Sequence, residues 1–175
     1  TVGPGLGRDS IEAGKKATYV AAIFVVIFMF ATYGVFGLIA NIALIVHVGL
    51  ILGPRSVLEP TMTLPGIAGI VLTIGTAVDS NVLIYERVRE EKALGRSAFS
   101  SLATGYERAM SAIIDANLTT LIAGVLLFGF GSGPIRGFAT TLSLGLVTSM
   151  FSSTIFTRML LAVWVRWRRP TEVVI

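Results

Sequence analysis

The sequence predicts an all-α membrane protein, a bundle of five transmembrane helices. Hydrophobic residues make up 54% of the 175, with 19 glycines besides, whereas soluble domains run near 45–50% with glycine included. Charged residues are only 14%, against about 25% in soluble proteins. Five stretches approach the roughly 20 apolar residues that a spanning helix needs.

The opening stretch, "TVGPGLGRDSIEAGKKA", lacks the basic, apolar and small-residue order of a signal peptide, and the chain does not begin with Met. Residues 1–14 are therefore expected to be the end of an upstream domain or a linker in a longer protein, with the membrane domain at 15–165. The first span is expected from about Ala17 to Tyr33 and the second from about Phe36 to Leu52. "GPRSVLEPTMTLP" holds three prolines and two charges, which predicts an exit from lipid. The third span opens at Pro65, a favoured helix-start residue, and ends near Tyr85. The polar segment at about 86–109, within "ERVREEKALGRSAFSSLATGYERAM", carries charges at helix-like spacings. An amphipathic helix lying on the membrane surface is expected there. The fourth span runs from about Ser111 to Phe128, "GFGSGPIRG" makes a glycine-rich turn, and the fifth runs from about Phe138 to Val163. A basic tail, 166–175, closes the chain.

Lys and Arg orient the bundle. Arg87, Arg89, Lys92, Arg96 and Arg108 lie in the loop, and Arg166, Arg168 and Arg169 in the tail. Two helices separate the groups, so both fall on one side, predicted to be the cytoplasm. The turns at Arg55 and Arg136 and the N-terminal stretch are then external, with Lys15 and Lys16 running against the rule. The net charge of +4 reflects this distribution and argues for membrane lipids, not nucleic acid, as the surroundings. With no cysteine and one histidine, disulfides, thiolate sites and histidine-rich metal sites are excluded. The residues call for no cofactor.

Asp79, in "TAVDSN", is the sharpest functional candidate. It lies about two turns before Glu86, roughly 10 Å inside the polar boundary. An ionised Asp at a helix centre costs about 2.5–3.5 kcal/mol on insertion scales, and desolvation favours the protonated form of a carboxyl group. Reversible protonation and a hydrogen bond to a neighbouring helix both remain open. At 100° per residue, Gly75, Thr76, Ser80 and Leu83 lie near Asp79. Gly69, Thr73, Thr76 and Ser80 form a small, hydroxyl-bearing stripe suited to close helix packing. Asn81 points nearly opposite, toward either a helix–helix hydrogen bond or a functional contact.

"IDAN" in the fourth span echoes "VDSN". Asp115 sits at a similar depth, with Ser111 and Thr119 on its face and Asn117, Thr120 and Gly124 on another. It is either a proton-coupling group or an interfacial carboxylate paired with Arg108 or the loop. Arg158 is expected to snorkel. His47 is expected to be a packed, hydrogen-bonded residue. Gly137, Thr141, Gly145, Ser149 and Ser152 form a packing seam. Two aspartates on adjacent helices are also the makings of a protease dyad. The Gly-x-Gly-Asp and Pro-Ala-Leu motifs of intramembrane aspartyl proteases are absent, however, so no enzyme is expected.

"TLPGIAGIVLTIGTAVDSNVLIYERVREE" resembles the signature of the SecD family of bacterial protein-export membrane subunits. "DANLTTLIAGVLLFGFGSGPIRGFATTLSLGLVTSMFSSTIFTR" is similar to that family's final two helices, and "VGPGLGRDSIEAGKKA" to its join between external domain and second helix. The resemblance covers nearly the whole chain. It implies the second to sixth helices of a six-helix half related to the resistance–nodulation–division (RND) transporters, without the first helix and large periplasmic domain. The family's proton-path aspartate, in an AVD-x-N motif, falls on Asp79, and its D-x-N-x-T-T motif on Asp115, Asn117, Thr119 and Thr120. Ser80 stands where the family most often has Ala. The implied function is proton-motive-force-driven assistance to preprotein translocation across the bacterial inner membrane. The implied partners are SecF, the SecYEG translocon and SecA through the complex, and preprotein. An RND-type exporter of small molecules or lipids is the alternative. A scaffold in which Asp79 only packs is a further one.

Overall fold

A computed structural model describes residues 4–58 and 63–171, with side chains from residue 7 onward. The parts of the N-terminal stretch, external turn and tail expected at 1–3, 59–62 and 172–175 lie outside the described residues. The helices are α1 (Pro4–Tyr33), α2 (Val35–Leu58), α3 (Leu64–Ala93), α4 (Ala98–Phe130) and α5 (Pro134–Met150), which passes through a π turn (Phe151–Phe156) into α6 (Thr157–Arg168). They make five spans long and apolar enough to cross a membrane, the last being Pro134–Arg168. No strand occurs among the described residues. In lipid each helix satisfies its own backbone polar groups, which makes this architecture a physical requirement.

The joints follow local chemistry. Gly34 alone separates α1 from α2, at φ 54, a left-handed conformation that glycine adopts without a Cβ penalty. The Thr63 hydroxyl accepts from Gly66 N–H at 3.3 Å and caps α3, with Pro65 in its first turn. α2 continues as helix six residues past the expected Leu52, through Pro54, and Arg55 is buried at 3% exposure.

The polar segment corrects the expectation of a separate surface helix. α3 runs on to Ala93, a short turn through Gly95 (φ 79) follows, and Ser97 caps α4 from Ser100 N–H at 3.4 Å. The segment is two helical extensions packed on each other. Ile84, Val88 and Glu91 on α3 and Ala98, Leu102, Gly105 and Ala109 on α4 are buried. A Cβ at Gly105 would fall 2.6 Å from Val88 Cγ2, so glycine is what lets the two helices approach. Glu91, 1% exposed, forms ion pairs with Arg96 at 2.9 Å and Arg108 at 2.7 Å. The apolar periodicity of this segment serves the helix pair, not a lipid surface.

α3 is the axis of the bundle, touching α1, α2, α4 and α5. Its closest neighbour is α5, through two reciprocal pairs. Gly69 of α3 abuts Thr141 of α5, and Gly145 of α5 abuts Thr73 of α3. Both threonines are fully buried, and each hydroxyl donates to its own helix, Thr73 to Ile70 O and Thr141 to Gly137 O, at 3.0 Å. All five residues of the expected seam on the last span are buried. Around α2 the packing is partly polar. The Ser152 hydroxyl donates to Ala43 O at 2.7 Å, and His47 Nδ1 lies 3.1 Å from Thr148 Oγ1, as expected for a packed histidine.

Two outcomes test this packing. Gly145→Leu should destabilise the bundle by about 1–3 kcal/mol, the range for overpacking a tight contact, read as a lower melting temperature in detergent. Gly49→Leu, where an added Cβ meets nothing within 4 Å, should leave it unchanged. At the turn, the Arg96→Gln/Arg108→Gln double variant strands a buried carboxylate and should cost about 3–5 kcal/mol. Glu91→Gln, which leaves two half-exposed arginines able to rehydrate, should cost about 1 kcal/mol or less.

Candidate functional site

TAVDSN is continuous α-helix at the middle of α3. Its polar side chains differ in how their hydrogen bonds are met. The Thr76 hydroxyl donates to Thr73 O at 3.0 Å and the Ser80 hydroxyl to Thr76 O at 3.0 Å. The Asn81 amide donates to Ala77 O at 3.3 Å. Each uses a carbonyl three or four residues back, which lets a hydroxyl or amide sit in lipid without an outside partner. Asp79 has no such recourse: an ionised carboxylate only accepts, and only the protonated acid carries a hydrogen to donate. Among the described residues its carboxyl forms no hydrogen bond or ion pair.

Asp79 is also exposed, while Ser80 and Asn81 are buried. The expected single stripe therefore divides in two. Gly69, Thr73 and Ser80 face into the bundle. Ala68, Leu72, Gly75, Asp79 and Leu83 run up an outward line in steps of three and four, with Ala68, Leu72 and Asp79 exposed, Gly75 and Leu83 half-exposed, and Thr76 half-exposed beside them. An added Cβ at Gly75 would meet nothing within 4 Å. The most enclosed helix of the bundle thus keeps one open side, with the carboxyl at its centre.

Asp115 on α4 is exposed as well, with Ser111 and Thr119 exposed on its face. The expected pairing with Arg108 is corrected, since Arg108 is held by Glu91. Asn117 is buried and donates to Ile113 O at 2.8 Å, Thr119 to Asp115 O at 2.8 Å, and Thr120 to Ala116 O at 3.0 Å. Asn81, read as making either a helix–helix hydrogen bond or a functional contact, donates its amide to Ala77 O within α3 and keeps a buried Oδ1 without a partner among the described residues. By helix rise, Asp79 lies roughly 21 Å from the turn end of α3 and Asp115 roughly 26 Å from that end of α4. They share a level to within about one helical turn. Among the described residues no group of three or more His, Asp or Glu side chains is placed to hold a metal ion.

Sequence reasoning missed Glu91 as the fixing point of the α3–α4 turn. Its signal was present: Ile84, Val88 and Glu91 follow i, i+4, i+7, putting one acid on an apolar face. It also missed the Tyr33 hydroxyl donating to Glu86 at 2.8 Å, with Arg89 pairing Glu86 at 2.9 Å, a tie from the end of α1 to α3.

Residues 1–167 match the family described as protein export membrane protein SecD/SecF, C-terminal. The chain is 52% identical over 172 residues to the protein translocase subunit SecD of Rickettsia prowazekii, covering 98% of this chain and 33% of that protein. It is 47% identical over 175 residues to the SecD of Rhodobacter capsulatus, covering 100% and 32%. The chain thus spans about a third of the length of these relatives. A crystal structure of SecDF, a translocon-associated membrane protein from Thermus thermophilus, superposes with TM-score 0.89 at 41% identity, over 95% of this chain and 23% of that one. A SecDF crystal structure in a super-membrane-facing form gives TM-score 0.86 over 94% and 22%. With the family matched over almost its whole length and the membrane fold shared, the chain belongs to the SecD/SecF protein-export membrane protein family, of which it carries the C-terminal helical region.

Proposed function

We propose that this helical region is the proton-coupling part of an accessory subunit of the Sec protein translocase, and that Asp79 carries the proton. One observation carries the reading. Asp79 is a membrane-level carboxyl on the open side of the central helix, and it is the one polar side chain of TAVDSN that makes no hydrogen bond within α3. Such a group needs a proton or a donor from outside the chain. Each charge moved across the membrane releases about 2.3 kcal/mol per 100 mV, enough to bias a two-state element whose states differ by a few kcal/mol. The work is then assistance to preprotein translocation or release across the bacterial inner membrane. The relatives' names as protein translocase subunits support this over small-molecule or lipid export.

The proposed cover of the Asp79 side is the corresponding half in SecF, with SecYEG, SecA and preprotein engaged through the complex. Asp115, at the same level on an exposed face, is a second proton-coupling group. Gly75 and Thr76 keep the approach to Asp79 open, while Ser80, Asn81, Asn117, Thr119 and Thr120 fix the polar turns through in-helix hydrogen bonds. Lys and Arg counts support a cytoplasmic α3–α4 turn and tail, with residues 1–14 leading from an external domain. No catalytic step is assigned to either aspartate.

Asp79→Asn in the full-length protein keeps shape and removes the titrating proton. It should abolish proton-dependent stimulation of export and remove a protonated-carboxyl band from the infrared spectrum, without lowering the melting temperature. Export at the wild-type level in this variant would refute Asp79 as the carrier.

A further inference from the structure

Among the described residues two charged side chains are buried, Glu91 and Arg55. Glu91 is answered by Arg96 and Arg108. Arg55 is not answered. Its Nε and both terminal nitrogens are buried, and none has a hydrogen-bond or ion-pair partner among the described residues. Every other Lys and Arg of the chain is exposed or half-exposed, and so is open to water or headgroups. Around Arg55 on α2, Pro54, Ser56, Val57 and Leu58 are exposed, while the guanidinium turns inward onto the first turn of α3. A Cβ at Gly66 would collide with it and would fall 3.2 Å from Thr63 Oγ1, so glycine is what gives the cation its place. That turn begins a 30-residue helix and is the positive end of its dipole. Two positive ends are thus packed together, with no acid between them. Asp9 and Glu12, the described acids at this end, are exposed on α1 and form no ion pair among the described residues.

We propose that Arg55 and the first turn of α3 form a seat for one carboxylate, presented by the part of the full-length protein that precedes this chain. The chemistry selects the ligand. A buried guanidinium without a counter-charge is strongly destabilising, and a carboxylate meets its planar fork with two parallel hydrogen bonds. The same negative group is favoured at a helix N-terminus. The direction of the side chain selects the source. An arginine near a helix end reaches lipid phosphates at little cost by snorkelling, and this one is turned away from them into the protein. The entry of α1 lies beside it. An added Cβ at Gly14 of α1 would fall 3.2 Å from Leu64 and 3.4 Å from Ile67 of the same turn of α3. From Gly14 back to Pro4, α1 continues for ten residues, roughly 15 Å of helix rise, past the start of α3. Whatever precedes α1 is therefore tethered at this end of the bundle, which raises its effective concentration at Arg55. About two thirds of the relatives' length lies outside this chain, and the matched region is their C-terminal one. The proposal rests on the reading that residues 1–14 lead from an external domain, and is independent of Asp79.

The test is carbodiimide cross-linking of the full-length Arg55→Lys variant, which joins an amine directly to a carboxylate in contact with it, read by peptide mass spectrometry. The amide should form to an Asp or Glu that precedes residue 1. Amide hydrogen exchange in the segment carrying that acid should rise about tenfold in the full-length Arg55→Met variant. Gly66→Ala, which pushes the guanidinium off its seat, should do the same. Arg136→Gln, at an exposed arginine, should leave exchange at the wild-type level. Asp79→Asn in the Arg55→Lys background should keep the cross-link, so failure here is distinguishable from failure of the proton-carrier reading. A link to Asp9, to Glu12 or to Glu59, which lies outside the described residues, would overturn the proposal, and so would no link at all. An Arg55→Met variant that melts higher than wild type with unchanged exchange would overturn it too, since removing a guanidinium buried without a partner is stabilising.

Discussion

Everything in this bundle is arranged around the closeness of α3 and α5. Two glycines, Gly69 and Gly145, each receive a threonine from the opposite helix, four residues from the partner helix's own glycine. Lipid offers no hydrophobic drive to bring helices together, so contact area at short range must do the work. The reciprocal arrangement brings two backbones together over one turn, and each threonine hydroxyl is satisfied by its own helix before it is buried. With α5 locked there, α4 and α2 take positions against both helices, and α1 fills the remaining corner. One line of α3, the line of Asp79, is left without a neighbour.

That leftover line gives the polar residues of α3 unequal status. Ser80 and Asn81 sit beside Asp79 in sequence yet are closed inside the bundle, with donors bound to carbonyls of the same helix. Asp79 is complete only when something is supplied to it, which makes its neighbourhood sensitive to a second protein and to protons alike. Asp115 differs in degree: it lies on α4, a helix with far less of its surface enclosed, so its carboxyl has more directions from which to be approached.

Much of this was legible in the chain, and the reasons for the rest are physical. The break between the first two spans after Tyr33, the helix start at Pro65 and the seam from Gly137 to Ser152 are written in local residue types, and the structure follows them. The segment at 86–109 was misjudged because charges at helical spacing look the same on a membrane surface and on two helices projecting from it. What decides is whether their apolar faces match each other, a relation between distant residues. Arg108 had two acids within plausible reach, and the sequence could not rank Glu91 above Asp115. The outward turn of Asp79 was hidden because a helical wheel shows which residues share a side, never whether that side has a neighbour.

The π turn at Phe151–Phe156 has a consequence for the record of insertions and deletions in this family. Before it, the seam of buried small residues falls at Gly137, Thr141, Gly145 and Ser149, and within it the neighbouring Ser152 and Ser153 are both buried. After it, buried positions resume at Thr157 and Leu161. A π turn holds one residue more than the α-helical winding on either side of it. The turn absorbs that residue, with the Thr157 hydroxyl bonded five residues back to Ser152 O at 2.9 Å. A relative whose final span is one residue shorter should therefore carry its gap between 151 and 156, where a single deletion restores ordinary winding and keeps both halves of the seam in register.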